Sequence, residues 1–151
     1  IDSLYTGVAG NYEFAGLSSG TYILDFSPLL SPGGYNSADA LMIMQHFVSL
    51  INLTGLNLVA ADVDTNGIVN SSDALGTAMR FVGMITSFPA GDWTFDTDTL
   101  TIDKAPVQHT IYGLSFGDVN GSYLNVKNKN LFPPPVKAML RYNKNLRKYL
   151  Y

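Results

Sequence analysis

The sequence predicts an α+β protein built around a pair of helices with short β-strands on either side. Two stretches, at residues 35–51 and 69–85, repeat each other at an offset of 34 residues and run apolar at helical spacing. Between them lies a segment with the ligand spacing of a calcium loop. Residues 1–27 and 93–102 contain alternating runs typical of strands, and residues 109–116 are a further short strand candidate.

The composition allows a packed core and limits the class of protein. Of the 151 residues, 46% are hydrophobic and 14% are charged, and there is no cysteine to form a disulfide. This is compatible with an exported bacterial protein. No stretch approaches ~18 uninterrupted apolar residues, so we expect no membrane span. The chain lacks an initiating Met and a signal peptide, so we expect it to be a piece or a processed product of a longer protein.

Charge is distributed unevenly along the chain. Residues 1–126 contain all 12 acidic residues but only Arg80 and Lys104 among the basic ones, whereas residues 127–151 are basic and contain no acid. An acidic body suits cation binding. The chain carries no recognisable nucleic-acid-binding motif, so we expect no nucleic-acid partner.

The first segment, residues 1–27, contains two alternating runs joined by a turn at residues 17–20. Tyr12 and Phe14 share one face of the first run, and Tyr22, Leu24 and Phe26 share one face of the second. The pattern G-x-Y-x-F-x-x-L-x-x-G-x-Y resembles the closing strands of transthyretin-like or collagen-adhesin-type β-sandwich repeats. The resemblance implies that residues 1–27 are the end of such a repeat.

The calcium-loop segment reads D-V-D-T-N-G-I-V-N-S-S-D. Calcium binds six to eight oxygens at about 2.3–2.6 Å, and alternating ligands in a tight loop aim their oxygens at one centre. Gly67 permits the sharp bend, and position 12 carries an Asp in place of the usual Glu. The alternative is an Asn/Asp/Gly-rich turn without metal. The predicted ligands, one through its backbone carbonyl, are Asp62, Asp64, Asn66, Ile68 (carbonyl), Asn70 and Asp73.

Each repeat opens with Ser and Asp residues that favour a helix N-terminus. The helical spacing predicts two stripes packed against the core. The first consists of Leu41, Met44, Phe47, Val48 and Ile51, and the second of Leu75, Met79, Val82 and Met84 or Ile85.

The loop and its following helix resemble the type I dockerin repeat, D-V-N-G-D-G-x-V-N-S-x-D followed by a helix. The phrases A-A-D-V-D, S-F-P-x-x-x-W-x-F and G-D-V-N-G-S extend the resemblance to dockerin-like modules of exported Bacteroidetes proteins. It implies a pair of loop-helix (F-hand) motifs at residues 28–126, with calcium at the six ligand positions.

The first repeat departs from this pattern. With Asn36 and Asp39 at positions 9 and 12, positions 1, 3 and 5 fall on Pro28, Leu30 and Pro32, which offer no side-chain oxygen. The later phrase G-D-V-N-G-S supplies the opening of a loop instead. We therefore predict a split second metal site that combines Asp118, Asn120 and Ser122 with Asn36 and Asp39. The alternative is a β-turn capped by Asp118.

The last segment, residues 127–151, begins with a proline-containing linker and continues as a basic amphipathic tail. Residues 136–151 form a helix candidate with apolar residues roughly on one side and Lys and Arg on the other. Such a helix binds a partner groove or an anionic surface, or docks on the acidic body.

No catalytic constellation is present in the sequence. His46 and His109 are isolated, and no nucleophile motif or phosphate loop occurs, so we expect a non-enzymatic module. The dockerin resemblance implies an extracellular or cell-surface protein of exported bacterial origin, such as an adhesin or filament component.

Two functions remain open. One is a calcium-stabilised structural module that assembles with identical subunits or neighbouring domains. The other is protein–protein interaction, in which the module docks a cohesin-like partner. Exposure of Met42, Ile43 and Gln45 would favour docking, and their burial would favour assembly.

Two modification sites follow from the same resemblance. Asp2-Ser-Leu4 and Asp98-Thr-Leu100 match the O-glycosylation signal of that bacterial group, which makes Ser3 and Thr99 glycosylation candidates.

Overall fold

A computed structural model of the chain describes residues 2–5, 12–96, 99–103, 105–123 and 136–142. Helices and two small antiparallel sheets confirm the α+β class. In chain order the elements are β1 (Asp2–Tyr5), β2 (Gly20–Pro28), α1 (Ser37–Phe47), α2 (Gly55–Ala61), α3 (Ser71–Phe81), β3 (Trp93–Phe95), β4 (Thr99–Ile102), β5 (Gly113–Ser115) and β6 (Val136–Tyr142).

The chain divides into two compact units. The first comprises the described residues of 1–30, 96–111 and 129–151, and the second those of 31–95 and 112–128. We predicted one module over residues 28–126. In the structure, residues 96–111 belong to the first unit, because β4 pairs with β2.

The first unit is a four-stranded sheet in the order β1-β6-β2-β4. The predicted face of β2 is confirmed, since Tyr22 and Leu24 are buried and Phe26 packs against them. Residues 12–15, predicted as a strand, form no ladder. Tyr12 and Phe14 instead pack over β2, and the Tyr12 hydroxyl donates to the backbone carbonyl of His109 at 3.0 Å.

The prediction of a helix over residues 136–151 is wrong for residues 136–142, which form β6. This segment reads V-K-A-M-L-R-Y, so its apolar residues at every second position alternate with Lys137, Met139 and Arg141, a period of two that also suits a strand. β6 lies between β1 and β2 and forms antiparallel ladders with both. These long-range hydrogen bonds outweigh the local helical pattern. The rest of the predicted tail, residues 127–135 and 143–151, lies outside the described residues.

The second unit contains the helix pair. α1 and α3 each span 11 residues, and their starts at Ser37 and Ser71 keep the offset of the repeat. Each begins with a capping box, in which the Asn cap accepts from the helix backbone and the Asp three positions later accepts from the cap amide. In each case the residue directly after the C-cap has a positive φ, 62° at Ser49 and 76° at Gly83, which prevents the helix from continuing.

Two hydrophobic clusters form the core of the second unit. Ile43 of α1 and Ala74 of α3 pack with Leu53, Ala61 and Val119. The other cluster consists of Val63, Phe88 and Phe116 with Tyr35, Ile85 and Ala90 packed around it. β3 and β5 form the small second sheet.

The predicted core stripes of both helices are wrong for most of their residues, although Ile51 and Ile85 do pack against the core. Leu41, Met44, Phe47 and Val48 are exposed on α1, and Leu75, Val82 and Met84 are exposed in the second repeat. The buried residues are instead Asp39 and Ile43 on α1, and Asp73, Ala74, Thr77 and Arg80 on α3. Both sides of each helix carry apolar residues, so the periodicity did not identify the side that faces the core.

Among the described residues, no helix has the length and apolar character that a membrane crossing requires.

Candidate metal centres

The intact loop, Asp62–Asp73, connects α2 to α3. Gly67 has a φ of 82°, as the bend at position 6 requires, and Thr65 also has a positive φ of 59°. The added Cβ of a residue at position 67 would meet no atom within 4 Å, so backbone conformation selects glycine there.

Backbone amides inside the loop hold its side-chain oxygens in place. The Asn66 amide donates to Asp62 at 3.2 Å and to Asp64 at 3.1 Å, and the Gly67 amide donates to the other Asp62 oxygen at 3.0 Å. The Ile68 amide donates to the Asn66 side-chain oxygen at 2.8 Å. The loop therefore curls around its own carboxylates, which concentrates negative charge at its centre.

Asp73 closes the intact loop from the first turn of α3. It is fully buried, and its oxygens accept from the Val63 amide at 3.0 Å and the Asn70 amide at 2.9 Å. Burial raises the pKa of the Asp73 carboxyl, and the negative charges of Asp64 and Asp62 raise it further. A cation at this point relieves both penalties.

The dimensions of the intact loop fit calcium. Carboxylate oxygens of Asp62, Asp64 and Asp73 all lie within 4.8 Å of one another. Two ligands on opposite sides of a calcium ion are about 5 Å apart, since each Ca–O distance is about 2.3–2.6 Å. Separations of up to 4.8 Å are therefore compatible with an ion of that size.

The structure brings the residues of the predicted split site together. The Ser122 amide donates to Asp118 at 3.0 Å and to Asn120 at 2.8 Å, and the Tyr123 amide donates to the other Asp118 oxygen at 3.0 Å. These contacts repeat those around Asp62, with Asp118, Asn120 and Ser122 in loop positions 1, 3 and 5.

Asp39 closes the split site from the first turn of α1. Its oxygens accept from the Asn120 amide at 3.2 Å and the Asn36 amide at 3.0 Å. Asp73 accepts from the amides at positions 3 and 9 of the intact loop in the same way. The two halves of the split site are therefore joined by a contact that spans 81 residues.

The carbonyl of Gly34 is a site group that the sequence analysis missed. The side-chain amide of Asn36 donates to it at 2.8 Å, as Asn70 donates to the Ile68 carbonyl at 3.1 Å. The hydroxyl of Ser122 also reaches the Gly34 carbonyl, at 3.3 Å. Its place two residues before Asn36, equivalent to Ile68 before Asn70, was a usable signal.

The absence of glycine at position 6 of the split site has a geometric reason. Tyr123 stands there, and its amide makes the contact that Gly67 makes in the intact loop. In the intact loop the chain must turn at position 6 to reach position 7. In the split site position 7 is Gly34, from another part of the chain, so Tyr123 needs no such turn.

The electrostatics of the two sites differ. Burial raises the pKa of Asp39 from 3.8 to about 6, and the charge of Asp118 adds to this effect against the backbone hydrogen bonds that lower it. The split site has two carboxylates, Asp39 and Asp118, and the intact loop has three. Fewer negative ligands weaken calcium binding, so the geometry favours the intact loop as the tighter site.

Other candidate residues lie elsewhere. Ser3 on β1 and Thr99 at the start of β4 are exposed residues of the first unit, whereas both loops belong to the second. His46 has a structural role, because its Nδ1 accepts from the Leu53 amide at 3.1 Å.

Comparisons with protein-family models, curated proteins and solved structures find no match to this chain.

Proposed function

We propose that the second unit is a non-catalytic, calcium-stabilised structural module with two metal sites. The observation that supports this most directly is the repetition of one hydrogen-bond pattern at two places. In both, amides at positions 5 and 6 contact the acid at position 1, and the acid at position 12 contacts the amides at positions 3 and 9.

Calcium stabilises this module by compensating buried charge. Asp39 and Asp73 are both fully buried at the first turn of a helix, where ionisation is costly without a counter-charge. A cation in each loop neutralises these carboxylates and fixes the starts of α1 and α3. Metal binding is then coupled to folding, since neither ligand set exists in the unfolded chain.

The split site adds a long-range connection. An ion held by Asp118 and Asp39 connects the last part of the second unit to its first part. Residues 96–111, which lie between these parts in sequence, belong to the first unit. We propose that the parent is an exported cell-surface protein, such as an adhesin or filament component. Extracellular calcium is abundant, so even a weak site stays occupied there.

Calcium titration by calorimetry tests the proposal, with Asp62→Asn and Asp118→Asn as matched variants at position 1 of each loop. We expect two bound calcium ions in the wild type and one in each variant, with the tighter ion lost in Asp62→Asn. Thermal unfolding should shift upward with calcium and downward with chelator. A wild type that binds no calcium would overturn the proposal.

The second candidate function is docking of a cohesin-like partner by a dockerin-type surface. The exposure of Leu41 and Leu75 at the start of the two helices favours it. Ile43, in contrast, is fully buried, and Met42 and Gln45 are partly buried, which favours assembly by the criterion set out above. Calorimetry with a type I cohesin separates the two: calcium-dependent binding that is lost in Leu41→Glu supports docking.

A further inference from the structure

α1 and α3 expose equivalent large apolar residues at the repeat offset. Leu41, Phe47 and Val48 correspond to Leu75, Phe81 and Val82, and each of the six is at least half exposed. We call these six residues the outer helix faces. Leu50 and Met84, which follow the two helices at the same offset, are more exposed still.

The outer helix faces have no charged neighbours on their own helices. The charged residues of α1, α2 and α3 are Asp39, Asp73 and Arg80, and all three are buried. Helices that face solvent normally carry charged side chains on that side. A charged partner would form salt bridges at the rim of the interface, and these helix faces offer no charged residue for such bridges.

Charge does not oppose contact between two copies through these faces. None of the six residues is charged, so two copies that meet through them bring no like charges together and bury no unpaired charge. The contact removes apolar surface from water on both copies. The outer helix faces are therefore compatible with a second copy of themselves.

The area is also sufficient for a specific contact. A large apolar residue that is half exposed leaves roughly 100 Å² in water, so the outer helix faces together with Leu50 and Met84 leave on the order of 800 Å². A stable protein–protein interface takes about 800 Å² from each partner. Exposed apolar area of this size, where it is contiguous, marks an interaction surface on soluble proteins.

We propose that the outer helix faces bind a second copy of this chain. This inference rests on the proposed assembly role and names its partner. Calcium contributes indirectly, because it fixes the starts of both helices and hence the positions of Leu41 and Leu75. Contact between apolar surfaces also predicts association that added salt does not weaken.

Sedimentation velocity over a concentration series tests the proposal on the full chain in calcium. The test variant is Leu41→Glu with Leu75→Glu. Its matched control is Leu29→Glu with Val107→Glu, which adds the same charge at two exposed apolar residues of the first unit. We expect the wild type and the control to self-associate equally, and the test variant to need roughly tenfold higher concentration or more.

The outcomes separate this inference from the calcium proposal. A wild type that stays monomeric, or a test variant that associates as well as the control, overturns the inference. Association that weakens between about 0.1 and about 1 M salt overturns it as well. Calcium stoichiometry and thermal unfolding, measured on the same three proteins, report on the metal sites independently of mass. They also verify that the test variant is folded.

Discussion

Replacement of Asp118 by Ala tests the split site most directly. Asp118 is buried, and its carboxylate accepts from the Ser122 amide and the Tyr123 amide, each at 3.0 Å. The Ser122 amide keeps a second acceptor in Asn120, at 2.8 Å. In the metal-free protein, the Tyr123 amide is therefore the main group that loses its hydrogen-bond acceptor.

The expected magnitude depends on calcium. A fully buried amide that loses its partner costs about 1–3 kcal/mol. The Tyr123 amide is only partly buried, and the substitution also relieves the repulsion between Asp118 and Asp39, so we expect a loss of about 1–2 kcal/mol without metal. In calcium the variant also loses the stabilisation that comes from calcium binding to the folded state, which is about 2.7 kcal/mol when calcium is at 100 times its Kd. The total loss in calcium is then about 4–5 kcal/mol.

Urea unfolding in calcium and in chelator measures both values. Asp118→Asn is the control, because it keeps an oxygen acceptor and removes the charge. It should lose about as much calcium-dependent stability as Asp118→Ala, with little change in chelator. If Asp118→Ala costs the same free energy of unfolding in calcium and in chelator, Asp118 does not bind the metal.

Three further predictions concern other parts of the second unit. In chelator, the raised pKa of Asp39 means that the folded state binds more protons than the unfolded state between pH 3.8 and about 6. The stability that protonated Asp39 contributes is therefore lost as the pH rises through that window. Urea unfolding at a series of pH values measures this loss, which calcium or Asp39→Asn should reduce. Gly34→Ala should destabilise more than Gly67→Ala, because both have positive φ but only at Gly34 does an added Cβ collide with Asp118; equal changes in thermal midpoint would contradict this. Arg80 lies 4.9 and 4.4 Å from two aromatic ring centres, and its Nη2 donates to the half-exposed Asp92 at 2.8 Å, while its Nε and Nη1 lack a hydrogen-bond partner among the described residues. An ion pair with an exposed partner contributes little, so Arg80→Met should stay within about 1 kcal/mol of wild type, whereas Arg80→Ala loses about 2–4 kcal/mol of packing. An equal loss of unfolding free energy in both variants would show that the charge itself is needed.

Local patterns predicted the parts of the second unit that depend on neighbours in sequence. The capping boxes at Asn36 and Asn70 start both helices where the repeat indicated. Each cap is formed by residues within three positions of each other, so no distant contact is needed to specify it. The bend at Gly67 is specified in the same local way.

The orientation of the helices was not predictable from hydrophobic spacing. α3 buries Ala74 and Thr77 and leaves Leu75 in solvent. The space beside Ala74 is filled by Leu53, Ala61 and Val119, which come from other segments. The side of a helix that packs inward depends on what those segments bring to it.

The sequence alone determined the α+β class, the helix starts and the curled loop at Asp62–Asp73, because caps and tight turns are made by residues close together in the chain. Only the tertiary structure decided that Val136–Tyr142 pairs as a strand and that the Ser122 hydroxyl reaches the Gly34 carbonyl. It also placed the Asn120 amide against Asp39. Such contacts form between segments whose separation in sequence carries no periodic signal, and their geometry depends on how the whole chain packs.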